Sequence, residues 1–142
     1  MAEMKFKAIG NNNFYYDDEF LTGINGAIPS YGQKNKRGVL AFCQRWIRHP
    51  NDHEAGERAL IKRNIKSTDT VLELGGFIGV TACLTNDIID QKEGHVVVER
   101  DSALIKYLQI NRDRNGKKFI VHPRKIEKIE ELDCYGGEFN SL

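Results

Sequence analysis

Apolar positions along this chain fall into two patterns, short unbroken runs and longer stretches with helical spacing. Residues 70–74, 95–99 and 119–121 are the runs. The first is apolar apart from Glu73, the second centres on Val96, Val97 and Val98, and the third is Phe119, Ile120 and Val121. Strands covered by helices on both faces read this way. Between them, residues 79–90 place Val80, Cys83, Leu84, Ile88 and Ile89 on one helical stripe, and Gln91 to Gly94 turn the chain. A further helix starts at Asp101–Ser102, with Ser102 as its cap and Leu104, Ile105, Leu108 and Ile110 as its buried face. Asn115–Gly116 stops that helix, and Pro123 breaks the run that follows.

Upstream, residues 38–48 carry a stripe of Val39, Leu40, Phe42, Cys43, Trp46 and Ile47, ended by His49 and Pro50. A second helix begins at His53 or Glu54, with Ala55, Ala59, Leu60 and Ile61 inward. Strands separated by helices predict a parallel sheet joined by right-handed crossovers. The tail alternates charge with Ile126, Ile129 and Leu132, which fits either an amphipathic helical turn or a strand.

Residues 1–35 are the least regular part, punctuated by a turn at Gly10 to Asn13 and by later glycines and Pro29. Within them Phe14, Tyr15, Tyr16 and Phe20, with Tyr31 beyond, read either as rings packing over the core or as a lid over a ligand.

Composition narrows the function classes. The 142 residues make one domain with a sizeable core, and a net charge of +1 gives no general case for nucleic acid. No apolar run approaches the roughly 20 residues that span a bilayer. The first ten residues carry two lysines and no apolar segment, so they do not read as a signal peptide. Three cysteines, far apart and odd in number, fit reduced thiols and a cytoplasmic location. His49 and His53 have no carboxylate or cysteine at ligand spacing, so no metal is expected.

The chemistry gathers in residues 69–101. Strand, glycine turn (Gly75, Gly76, Phe77, Ile78, Gly79), helix, strand and terminal acid form the first half of a nucleotide-binding unit. Gly75 and Gly79 leave room for a ligand to approach the backbone, next to a helix N-terminus with free N–H groups. Phe77, however, crowds the place of a pyrophosphate, and the Glu73 carboxylate repels phosphate while suiting a cationic headgroup. Glu99 stands 20 residues beyond Gly79, where an acid accepts hydrogen bonds from ribose hydroxyls. A nucleoside with a positively charged tail fits this set better than a dinucleotide, and S-adenosylmethionine is such a molecule. The bland readings are a ligand-free turn, and a Glu99 that pairs with Arg100 or Lys106.

Residues 70–84, "TVLELGGFIGVTACL", resemble motif I of class I S-adenosylmethionine-dependent methyltransferases. Residues 95–115, ending in Asn111-x-x-x-Asn115, resemble the motif that follows it. The layout is similar to the FkbM-type group, with Glu54 or Glu57 as the acid leading the helix before the first strand. The likeness covers residues 54–126 and implies a Rossmann-like, three-layer α/β domain with a short, mostly parallel sheet. It further implies that Glu73, Gly75, Gly76, Phe77 and Gly79 line the methionine and ribose end, with Glu99 on the ribose and Arg100 near the adenine. Lys125 and Ile126 follow as adenine-loop candidates, although Ile126 serves equally as a core residue. The acceptor is not implied. The chain lacks an Asp/Asn-Pro-Pro-aromatic motif, and its sheet is shorter than the family's, an edge that favours pairing with a second copy. The expected activities are therefore methyl transfer, non-catalytic cofactor binding or interaction, and, disfavoured by Phe77 and Glu73, a nucleotide-dependent oxidoreductase.

Overall fold

The computed structural model describes residues 5–17 and 54–135. The expected helix over 38–48, Phe20, Tyr31 and the His49/His53 pair lie outside them. The described residues form a mixed α/β structure. In chain order its elements are β1 (Lys5–Ile9), β2 (Asn12–Tyr16), α1 (Ala55–Asn64), β3 (Val71–Leu74), α2 (Val80–Ile88), β4 (His95–Val98), α3 (Ser102–Arg114) and β5 (Ile120–His122). Short 3₁₀ turns cover Lys92–Gly94 and Ile129–Tyr135.

Strands β3, β4 and β5 form a parallel sheet with β4 in the middle, Val71 opposite His95 and Val98 opposite His122. All four residues of β4 are buried, as expected of a strand covered on both faces. Successive side chains point to opposite faces. Val97 packs with Ile78, Val80, Cys83, Leu104 and Leu108 beneath the helices. Val96 and Val98 join Leu72 and Leu132 on the other face, with half-buried Ile120, Ile126 and Tyr135 beside them. Of the two forms expected for the tail, the structure takes the helical turn and not the strand: Ile129–Tyr135 is a 3₁₀ turn anchored by buried Leu132. Its charged neighbours leave one residue to bury, and Ile129 stays 70% exposed.

The largest departure from expectation is at the N-terminus. Residues 5–16 form an antiparallel hairpin, pairing Lys5 with Tyr16 and Ile9 with Asn12. Gly10, at φ +61°, takes the first position of its two-residue turn, where a side chain is strained. Alternation buries Asn12, Phe14 and Tyr16, so the rings at 14 and 16 belong to the core and do not form a lid.

Helix α3 holds this hairpin through an unusual pairing. Asn111 accepts the Tyr15 N–H at 2.6 Å and donates to the Tyr15 carbonyl at 3.3 Å. Asn115 does the same for Asn13, at 2.8 and 3.1 Å. Four residues of helix rise about 6 Å and two of strand about 7 Å. Amides at i and i+4 therefore reach alternate residues of β2, as a neighbouring strand would.

All three helix faces differ from expectation. Helix α2 buries Val80 and Cys83 as expected, but with Thr81, Ala82, Thr85 and Asn86, while Leu84 and Ile88 are only half-buried. In α1, Ala55, Ala59 and Leu60 are exposed and only Ile61 of the expected set is half-buried, because the helix packs against α2 without entering the core. In α3, the buried residues are Leu104, Tyr107, Leu108 and Asn111, with Ile105 and Ile110 only half-buried. Its cap is Asp101 in place of Ser102: the Asp101 carboxylate accepts the Ala103 N–H at 2.9 Å, whereas Ser102 is already helical. Asp101→Ala should cost about 1 kcal/mol, measured as a lowered denaturant midpoint, while Ser102→Ala should leave the midpoint nearly unchanged.

Candidate functional site

The glycine turn joins the end of β3 to α2 at the C-terminal edge of the sheet, where ligands of open parallel sheets bind. Its first glycine, Gly75, has φ +86° and open space where a side chain would stand, and its N–H donates to Val98 O at 2.8 Å. Gly76 faces inward. A Cβ there would lie 2.6 Å from both Val97 Cγ1 and Leu108 Cδ2, so the turn rests directly on β4 and α3. Gly79, at φ +102°, precedes α2 and gives it no side-chain cap, which leaves first-turn N–H groups for another acceptor. Between them Phe77 adopts φ +49°, a left-handed conformation that costs a non-glycine residue about 1–2 kcal/mol.

Glu99 helps to hold that conformation. The acid is 6% exposed, and its Oε1 accepts the Phe77 N–H at 3.1 Å. Its Oε2 accepts the Asp101 N–H at 3.0 Å, and its own N–H donates to His122 O at 3.0 Å. The carboxylate therefore links the turn after β3 to the turn after β4. A carboxylate carries about four lone-pair sites, so each oxygen keeps one acceptor position. The surface-pair reading of Glu99 does not apply, because the acid is buried and its oxygens accept backbone N–H groups of the two turns.

Glu73 occupies a separate polar cluster under α1 and α2. Its Oε1 accepts the Thr81 hydroxyl at 2.7 Å, and its Oε2 lies 3.4 Å from His95 Nε2. That second contact is electrostatic, since the ring is not aligned for a hydrogen bond. Asn86 sets the imidazole tautomer. Its Oδ1 accepts the Lys118 N–H at 3.0 Å, which turns Nδ2 toward Lys92 O and, at 3.4 Å, toward His95 Nδ1. The ring proton then belongs on Nε2, facing Glu73.

Glu54 adjoins this cluster. It precedes α1 at φ 50° without capping it, and burial pushes its carboxyl from 4.5 up to about 7, with Glu57 and Glu73 adding and Arg58 opposing.

Of the residues expected at the site, the structure brings together Gly75, Gly76, Phe77, Gly79 and Glu99. Arg100 and Lys125 are exposed. Ile126 packs with Leu72, Val96, Val98 and Leu132 on the far face of the sheet, which is its core reading. Two residues of the region escaped the sequence. Asn111 donates to Ile78 O at 2.8 Å inside the turn; its spacing from Asn115 was visible, but not its partners. His122, 2% exposed at the end of β5, meets the Tyr135 hydroxyl at 2.7 Å through Nδ1, and its Nε2 has no hydrogen-bond partner. No pattern in the sequence singles it out.

Among the described residues, no group of three or more His, Cys, Asp or Glu is placed to hold a metal ion, and no helix is long and apolar enough to cross a membrane. Cys83 is buried and its thiol is pushed up to about 12, mainly by that burial, while Cys134 is exposed. No protein-family model, curated protein or solved structure matches the chain.

Two outcomes follow from this geometry. Gly76→Ala forces a methyl against Val97 and Leu108 and should lower stability by about 1–3 kcal/mol in denaturant unfolding. The raised Glu54 value means that the folded chain binds the extra proton, so Glu54 costs stability progressively from about pH 4.5 to about pH 7. Glu54→Gln should therefore leave stability at pH 4 unchanged and raise it at pH 8 by roughly 1–3 kcal/mol. Parallel pH profiles for the two chains would contradict the assignment.

Proposed function

We propose that the chain binds S-adenosylmethionine across the glycine turn and the end of β4, in a Rossmann-like three-layer arrangement, and acts as a methyltransferase. The observation that carries this reading is the Glu99 carboxylate, held by the Phe77 and Asp101 N–H groups with one acceptor position left on each oxygen. Two ribose hydroxyls match that pair of positions. The open side of Gly75 lets a ligand approach the backbone, and the strand order β3-β4-β5 puts turn and acid on neighbouring strands.

Charge favours this ligand over a dinucleotide. The Glu99 carboxylate at the turn and the Glu73 carboxylate in the separate polar cluster at the end of β3 both oppose a pyrophosphate and favour a cation. S-adenosylmethionine supplies a sulfonium-bound methyl group that a nucleophile can accept. The residues described here bind and orient the donor: Glu99 fixes the ribose, the turn carries the tail, and the Glu73 charge favours its ammonium through space. Methyl transfer then needs chiefly an in-line acceptor, since alignment alone supplies much of such a rate.

A second reading, cofactor binding without transfer, is favoured by one feature: every residue gathered here belongs to the donor side of such a site. Incubation with cofactor labelled in its methyl group and pools of small-molecule and protein acceptors separates the two, because only an enzyme passes on the label.

Titration calorimetry tests the shared core of both readings. Heat is expected with S-adenosylmethionine and with its demethylated product, and none with NAD; the reverse pattern sinks the proposal. Glu99→Gln keeps the side chain's shape but loses its charge, and should weaken binding by about 1–3 kcal/mol.

A further inference from the structure

One side chain of α3 reaches both the glycine turn and the hairpin. Asn111 is fully buried. Its Nδ2 donates to Ile78 O at 2.8 Å, while Oδ1 and Nδ2 pair with the N–H and carbonyl of Tyr15. Ile78 lies between Phe77 and Gly79, both at positive φ, so the direction of its carbonyl is tied to the unusual half of the turn. One turn earlier on the same helix, Leu108 lies beneath Gly76.

The hairpin in turn fixes Asn111. Two of the amide's three hydrogen bonds go to Tyr15, and the next amide along, Asn115, grips Asn13. Asp17, just beyond β2, accepts the Tyr107 hydroxyl at 2.6 Å and adds a third attachment to α3. If the hairpin lifts, the Asn111 amide loses the contacts that orient it and its remaining bond to the turn is no longer fixed in direction. A buried amide is held by all its partners together.

We propose that Asn111 is a positioning residue through which docking of the β1–β2 hairpin sets the shape of the ligand turn, so that hairpin docking and cofactor binding are coupled. The structural half stands on the hydrogen bonds alone; the ligand half rests on the S-adenosylmethionine reading. Such coupling is reciprocal, so the ligand must tighten the hairpin as much as the hairpin tightens the ligand.

Amide hydrogen exchange on the full chain tests it. Asn115→Ala removes the grip on Asn13, together with the amide's own bond to the Asn111 carbonyl at 2.8 Å, and leaves every side chain of the turn and the Asn111 amide in place. It should speed exchange at the amides of Asn13 and Tyr15 and also, by about tenfold, at those of residues 77–80. Leu132→Ala, a destabilising change on the opposite face of the sheet, should leave the ratio of turn to β4 exchange unchanged. In the unaltered chain, S-adenosylmethionine should slow exchange at Tyr15, and Asn115→Ala should weaken its affinity about tenfold. Asn111→Ala should abolish the effect of ligand on Tyr15 if that chain folds; Asn115→Ala decides the matter if it does not. Faster hairpin exchange with an unchanged turn would overturn the coupling, as would unaltered affinity in Asn115→Ala. No binding of S-adenosylmethionine to the unaltered chain would overturn the cofactor reading instead, and the exchange comparison would still decide the coupling.

Discussion

The arrangement depends on one close approach. The backbone at Gly76 lies against Val97 of the middle strand and Leu108 of α3, closer than any side chain at 76 would permit. Because the turn sits so low, its Phe77 N–H reaches the carboxylate at the end of the neighbouring strand, and its Ile78 carbonyl reaches an amide on the helix above. A turn raised by the width of a methyl group would forfeit both contacts. Glycine at 76 therefore serves packing first, and the ligand only through the packing.

The second constraint is that buried polar groups need partners. Glu99, Asn111 and Asn86 each join two or three segments that are remote in sequence, and the helical layer, the hairpin and the sheet meet at these side chains. They contribute direction where the apolar core contributes adhesion. Valines, leucines and phenylalanines exclude water in many arrangements, but a carboxylate accepting two N–H groups tolerates few. The exceptions among the described residues are His122 Nε2 and the facing atoms Glu73 Oε2 and His95 Nε2, all buried without a hydrogen-bond partner.

Much of this was legible in the sequence. The runs around Leu72 and Val97 and the helical stripe through Val80 and Cys83 give the parallel α/β core, because burial on both faces leaves a continuous apolar signature. The pairing of the glycine turn with Glu99 was legible too, since both positions follow from strand ends. The hairpin was not: a five-residue strand holding Asn12, Asn13 and two tyrosines has no run that separates it from a loop, and its partners lie on a helix. The Asp101 cap was missed because Asp101 and Ser102 are both good caps, and only the backbone decides between them. The exposure of Leu60 shows the reverse error, in which an apolar residue on a helix was counted as core although α1 lies too far out to bury it.

The hairpin is also a matter of timing. Its backbone is clasped by residues 96 and 102 positions further along the chain. On a ribosome adding roughly 5–20 residues per second, β1 and β2 would wait about 5–20 s for α3 to be made. Contacts of such long range are also the slow part of folding for a chain this size. During that interval the rings of Phe14 and Tyr16 have no core to enter. A segment made well before α3 is thus among the last to settle, and a nascent chain passes through a stage in which the sheet and its helices can assemble before the hairpin covers them.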